Sequence, residues 1–431
     1  MDRRTKNVEI FKDSVKLMNG SSRLQQAITE SQNKQKLYLE TEDVAVPESK
    51  GLSCKTVVST KRSFEAASAY ARAGKKVAVL NFASSTNPGG GVTYGSSAQE
   101  ECLCRCSTLY PCLDIDMMWN KFYKPHRKAG DPLYNDDCLY TPGVVVFKSD
   151  ISFPERMEEK DWYLVDVITC AAPNLRNMPS NLMNPFTGNV LADIEDDGLY
   201  ELHLQRLERV FRVAAANCAE VLILGAFGCG AFCNPPAVVA RAFKAVQEKY
   251  ASYFETIEYA VFCGGHETQN YDAFCEVFGA AKKYDLSRFI EAHEKDYQRA
   301  LKEVKAGYKR THWMWYIFPQ IAGLGVSRTS QFYSISDLGE ARAYLQNEVL
   351  GTHTKELCET LLALETNDAV EVFDWPDDMK LKSCMTLLEL ADPEQELFGA
   401  VLDKFFDGER DENTIKILNN KNKFSNPPLG E

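Results

Sequence analysis

The chain has 431 residues, 45% hydrophobic and 26% charged, which is globular composition and more length than one typical core organises. Lysine and arginine total 49 against 61 acidic residues, a formal charge of -12, which argues against general nucleic-acid binding and leaves any anionic ligand to a local site. The 14 cysteines, mostly single and often inside apolar runs such as DVITCAAP and YAVFC, read as buried reduced thiols, so a reducing compartment is expected, cytoplasmic or, in a eukaryote, nuclear.

The opening MDRRTKNVEIFKDSVKLM has basic residues but no uninterrupted apolar core and no small-residue cleavage site, so it is not read as a secretory signal. Ser63 to Ala73 is alanine-rich and helical in pattern. VAVLNF, from Val77 to Phe82, is a continuous apolar run of the kind that forms a strand buried on both faces. Similar runs follow at Gly143 to Phe147, Trp162 to Thr169, Val221 to Leu224 and Ile257 to Phe262. Between them, Leu199 to Ala219 has apolar residues at helical spacing, and Pro235 to Tyr250 begins with two prolines, suited to a first helical turn. Ala214 to Cys233 superficially resembles a membrane span, but Asn217, Glu220 and three late glycines make it the end of a helix, a strand and a loop. No membrane segment is expected. The alternation predicts an α/β sandwich with a largely parallel or mixed sheet.

After about Tyr284 long amphipathic segments take over. Phe289, His293, Tyr297 and Leu301 recur at four-residue steps, and Leu397, Phe398, Val401, Leu402, Phe405 and Phe406 make a second apolar face ending near Gly408. A mainly helical second domain is expected at 284–422, after a first domain at 1–282, joined by AAKKYDLS without a low-complexity linker. The end, NNKNKFSNPPLGE, reads as a loose tail. Lys309, Arg310, His312, Trp313 and Trp315, within KRTHWMWYIFPQ, suggest either a basic and aromatic surface or core tryptophans with charges at the rim.

Chemistry concentrates at two glycine clusters, each following a buried strand. Gly89, Gly90 and Gly91 come after VAVLNF, and GAFGCGAF, from Gly225 to Phe232, precedes the prolines that start a helix. Backbone N–H groups in such a loop, with a helix N-terminus behind them, suit phosphate oxygens, and two such junctions suggest the two sides of a nucleotide diphosphate cleft. Neither fits the dinucleotide fingerprint, and no GK[ST] phosphate loop occurs. Glu100 and Glu101 follow the first cluster. As sequence neighbours on a helix their side chains diverge by roughly 100°, so they cannot flank one bond as separated glycosidase carboxylates do. Taken alone such a pair reads first as a solvated helix start; in a cleft, one carboxylate would take proton chemistry and the other a hydrogen-bonding task. Cys102, Cys104 and Cys106 lack a second Cys or His pair at zinc spacing, so no metal is expected.

The order NFASSTNPGGG, then QEE, then LCRCSTLY resembles the signature of bacterial-type poly(ADP-ribose) glycohydrolases, whose catalytic domain is a macrodomain. The likeness continues through DVITCAAPNL and LGAFGCGAFCNPP. It implies a macrodomain-like three-layer α/β/α sandwich with a mixed sheet. It also implies hydrolysis of ribose–ribose O-glycosidic bonds from the end of poly(ADP-ribose), with ADP-ribose as product and no cofactor. Glu101 would be the general acid and base, and Glu100 would hold ribose hydroxyls. Gly89, Gly90, Gly91 and Val92 would contact the terminal ADP-ribose, with Gln99 shaping that loop. Gly225, Ala226, Phe227, Gly228, Cys229 and Gly230 would cradle the diphosphate, with Phe227 packing on the terminal ribose or, equally, in the core. Asn81 and Asn87 would be ribose or loop-fixing groups. A non-catalytic ADP-ribose-binding macrodomain, or a hydrolase removing ADP-ribose from another target, are the alternative readings. The second domain resembles a family of small uncharacterised helical bacterial proteins through HWMWYIFPQ, KLKSCMTL and a closing FF-DG helix, which implies no activity.

Overall fold

The computed structural model describes residues 2–49, 51–180, 186–263, 268–280, 282 and 284–425. The chain divides into two compact units, Met1–Ala281 and Lys282–Glu431.

The first unit is built on seven strands: β1 (Lys36–Tyr38), β2 (Lys55–Ser59), β3 (Val77–Phe82), β4 (Cys138–Val146), β5 (Tyr163–Cys170), β6 (Val221–Leu224) and β7 (Thr256–Ala260). Their order is β1-β4-β5-β3-β6-β7-β2, with β1, β4 and β5 paired antiparallel and the rest parallel. The sheet is mixed. Alternation along β3 explains why both faces are covered. Ala78 and Leu80 join Ile168, Leu222 and Ile257 in a core under helices Asp196–Ala216 and Pro236–Tyr250. Val77 and Val79 join Val167, Ile223 and Phe64 in the opposite core. That second core is closed by α1 (Arg3–Gly20), α3 (Ser63–Arg72) and α4 (Gln99–Cys106), with α2 (Ser22–Lys34) packed beside β4. A helix layer on each face is the three-layer arrangement that continuous apolar strands require.

Several elements differ from the sequence reading. The strand expected from Gly143 begins at Cys138, because the chain bulges between Thr141 and Val144, where Gly143 takes φ +68°. The edge strands β1 and β2 and helix α1 carry no strong hydropathy pattern, whereas α2, with Leu24 and Ile28 on its buried face, is amphipathic. Among the described residues no helix is long and apolar enough to cross a membrane, and Ala214–Cys233 is a helix end, β6 and a loop.

The second unit is helical. Its core gathers Phe289, Tyr297 and Leu301 from helix Ser287–Lys305, Leu381, Cys384 and Leu388 from helix Asp377–Ala391, and Phe398, Val401 and Leu402 from helix Glu396–Phe406. Of the candidate basic and aromatic residues, Trp313 is core and Lys309 is half-buried, whereas Arg310 and His312 are exposed. Trp313 is 1% exposed with its indole N–H donated to Glu303, Lys309 is drawn to Asp377 at 2.6 Å, and Lys380 sits 4.5 Å over the half-buried Trp315. An indole that large contributes more by burial than by solvent stacking. The expected loose tail begins inside a helix, Glu412–Ser425; its last residues, 426–431, and positions 281 and 283 of the joint lie outside the described residues.

Candidate active site

A cavity of about 690 Å³ opens at the carboxyl ends of β3, β6 and β7. Because β3 is central, the chain leaving it emerges in mid-sheet and delivers the glycine loop and α4 to the cavity floor. Gln99, Glu100 and Glu101 form the first turn of α4. This turn is not solvated: Glu100 is 3% and Glu101 5% exposed.

The two carboxylates are held differently. Glu100 accepts from Asn81 Nδ2 at 3.2 Å through Oε1 and from the Ser84 N–H at 2.8 Å through Oε2. Glu101 accepts from the Gly91 N–H at 2.9 Å through Oε1, while its buried Oε2 has no partner. Burial pushes Glu100 well above the ordinary carboxylate range; the Ser84 N–H opposes this and the Glu101 charge adds to it. Burial also raises Glu101, against the Gly91 N–H and the positive charge of Arg105. A carboxyl that holds its proton more tightly than an ordinary carboxylate, with one oxygen fixed and the other uncommitted, is equipped to give up a proton and take one back.

The glycines are required by that geometry. Gly90 has φ +57°, and a Cβ there would lie 2.6 Å from Glu101 Oε1. Gly89 has φ +65°, and its Cβ would meet Tyr110 at 2.8 Å. Val92 is fully buried and packs into the core. Asn81 lies opposite Thr169 in the β3–β5 register and bridges the Thr169 hydroxyl, 3.2 Å away, to Glu100. Asn87 accepts from Arg127, and its N–H donates to Ser84 Oγ at 3.2 Å, so it fixes the loop. Gln99 braces the end of β3 rather than the glycines: it accepts from the Phe82 N–H at 2.9 Å and donates to Leu80 O at 2.8 Å and Ser63 Oγ at 3.0 Å.

The second glycine loop packs tightly on the sheet. A Cβ on Gly225 would lie 2.6 Å from Ala260 O, and one on Gly228, at φ +77°, 2.6 Å from Ala172 Cβ. Ala226, Gly228 and Gly230 line the cavity, whereas the N–H groups of Phe227 and Cys229 close turns inside the loop onto Gly225 O and Ala226 O. Asn234 clamps it, donating to Pro173 O at 2.7 Å and Gly228 O at 3.1 Å while its Oδ1 meets His203 Nε2 at 2.9 Å. Phe227 is fully buried against Phe82 and His203; of the two rings in this loop, Phe232 is the one that lines the cavity.

Sequence reasoning missed Arg62, Arg176 and Phe262. Arg62 lies 3.8 Å over the half-exposed Phe262 ring, and Arg176 lies 5.0 Å over Phe232, with Nε donating to Asn174 Oδ1 at 3.1 Å. All three line the cavity, and the two arginines supply a local positive wall in an acidic chain. Each lies just beyond the end of a strand, β2, β5 or β7, and only strand order brings them together. Cys102, Cys104 and Cys106 are all buried in α4, and burial raises each thiol. Among the described residues no three His, Cys, Asp or Glu side chains are grouped to hold a metal.

Residues 6–149 match the family described as microbial-type PARG, catalytic domain, and residues 283–418 match a protein family of unknown function, DUF1810. The chain is similar to the poly(ADP-ribose) glycohydrolase (PARG) of Thermomonospora curvata at 28% identity and TM-score 0.55, covering 64% of this chain and 100% of that one. The same enzyme bound to the inhibitor ADP-HPD aligns at 28% identity and TM-score 0.53, covering 63% and 99%. The PARG of Deinococcus radiodurans in complex with ADP-ribose aligns at 28% identity and TM-score 0.51, covering 59% and 98%. No curated protein matches the chain. The chain therefore carries a microbial-type PARG catalytic domain followed by a DUF1810 domain.

Proposed function

We propose that the first unit hydrolyses ribose–ribose O-glycosidic bonds of poly(ADP-ribose) from the chain end and releases ADP-ribose. The observation that carries this reading is the unequal environment of the two glutamates: Glu100 is held at both oxygens, whereas Glu101 is anchored at one and has an unpartnered oxygen in a residue that lines the cavity. A binding module needs no buried acid. Glu101 protonates the leaving ribose oxygen, an oxocarbenium-like centre develops, and the resulting carboxylate takes a proton from the attacking water. Glu100, fixed by Asn81 and Ser84, orients ribose hydroxyls beside it. The diphosphate lies along Ala226, Gly228 and Gly230, with Arg62 and Arg176 supplying positive charge; the relative from Deinococcus radiodurans is seen with ADP-ribose. Action at the chain end is supported by the wall that the start of α1 builds, where Arg3, Arg4 and Asn7 line the cavity and Asn7 donates to Gly95 O at 3.0 Å.

The test is release of ADP-ribose from purified poly(ADP-ribose) by the full chain and by Glu101→Gln, with ADP-ribose binding measured on both. The variant should lose about 1,000-fold in rate and keep its affinity, since the amide preserves shape but not the proton. A wild-type chain that binds ADP-ribose and releases none would overturn the reading.

A further inference from the structure

Arg105 sits in α4 one helical turn beyond Glu101, an i,i+4 spacing that puts both side chains on one face of the helix. It is among the largest fully buried side chains, 2% exposed. Its guanidinium donates to Ser96 O at 2.6 Å and to Cys102 Sγ at 3.3 Å, and its Nε has no partner. Among the described residues no carboxylate forms an ion pair with it. A buried charge held only by a carbonyl and a thiol is costly, and such a charge persists where something nearby develops the opposite sign. A group of that kind on the same helix face is the Glu101 carboxyl, which feels the Arg105 charge and alternates between neutral and ionised in the reaction proposed above.

We infer that Arg105 is a positioning residue that stabilises the ionised Glu101 left after proton donation, and that it holds the Ser96 segment of the cavity rim. This rests on the reading of Glu101 as acid and base. Other charged or titratable groups also act on this site: Glu100 and the Cys102 and Cys104 thiols from α4, Arg62 before α3, Asp150 after β4, and Arg176 after β5. Of the cations, Arg105 alone shares the helix of Glu101 and is buried with it.

The experiment compares wild type, Arg105→Lys and Arg105→Gln in the full chain, following ADP-ribose release against pH with ADP-ribose affinity measured in parallel. Since Glu101 must be protonated in the free enzyme, the alkaline limb of kcat/KM reports its pKa. In Arg105→Gln this limb should move to higher pH by about one unit and kcat fall about tenfold, with affinity held, because an opposite charge nearby lowers a carboxyl by that order. Arg105→Lys should leave the limb in place. Equal loss in both variants with an unmoved limb overturns the inference and leaves Arg105 a brace for Ser96. A second measurement needs no Arg105 variant: in wild type the Arg105 15Nε resonance should move with the Glu101 titration, and in Glu101→Gln that step should vanish. A resonance blind to Glu101 also overturns the inference. Failure of wild type to release ADP-ribose is a different outcome, and it sinks the hydrolase reading instead.

Discussion

At Gly90 the backbone and the chemistry meet in one atom position. Its φ of +57° is open to glycine, and a methyl group there would press on the oxygen of Glu101 that the Gly91 N–H holds. Gly90→Ala should therefore displace the acid rather than unfold the unit. A drop of about 100-fold in ADP-ribose release is expected, since misplacement on the order of 1 Å costs that much, with a melting temperature lower by only a few degrees, the strain of alanine in a left-handed conformation being about 1–2 kcal/mol. Rates within a few-fold of wild type would refute it. At this scale the glycines and Glu100–Glu101 were legible, because triple glycine and adjacent carboxylates stand out in a linear string. Arg62, Phe262 and Arg176 were not, because an arginine before a helix and a phenylalanine after a strand look like any others until strand order gathers them. Phe227 and Phe232 show the opposite difficulty: two rings in one loop are equivalent in sequence, and only packing on Phe82 and His203 sends the first inward.

Among elements, the central strands and the helices between them were readable from apolar runs and helical spacing, and their bounds moved by only a few residues. α1 escaped for a physical reason. Its buried stripe is Asn7, Phe11, Ser14 and Met18, so half of the inward positions are polar and hydropathy does not register them. Those polar groups have specific work: Asn7 donates to Gly95 O at 3.0 Å, and Ser14 Oγ donates to Arg105 O at 2.6 Å. The helix thus ties the cavity rim and α4 together. Asn7→Ala should cost about 1–2 kcal/mol by leaving the Gly95 carbonyl without its buried donor. The rim would loosen where Arg4 O packs against Gly95, so KM should rise more than kcat falls. Steady-state kinetics and a denaturant titration check this, and a pure kcat effect would contradict it. β1 and β2 escaped for a simpler reason, being short edge strands with several exposed or half-buried positions.

Across the whole molecule, the two units answer acid differently. Each buries a histidine whose pKa burial lowers to about 4, His203 against Asn234 in the first and His293 against Tyr316, Tyr344 and His353 in the second. A histidine depressed in the folded state stabilises fully above its unfolded pKa of about 6.5, and that stability is lost as pH falls towards 4. For His293 the loss reaches about 3 kcal/mol. In the second unit hydrogen bonds and cations also hold the Glu303, Asp337 and Asp377 carboxyls low despite their burial, but that stability is lost only as pH falls below their ordinary values of about 4, so in milder acid the histidine dominates. In the first unit the raised carboxyls of Glu100, Glu101 and Asp150 have the opposite sign: their penalty is relieved as pH falls, which offsets His203. Acidification from about pH 7 to about pH 4.5 should therefore lower the melting temperature of the second unit by on the order of 10 °C and that of the first by less. Scanning calorimetry of the full chain measures both. Added ADP-ribose identifies the first unit's transition by raising it, because a ligand stabilises the state that binds it. If the ligand-sensitive transition falls further with acid than the other, the balance of buried carboxyls and histidines described here is wrong. If His293→Gln flattens the pH dependence of the ligand-insensitive transition alone, the buried imidazole is its source.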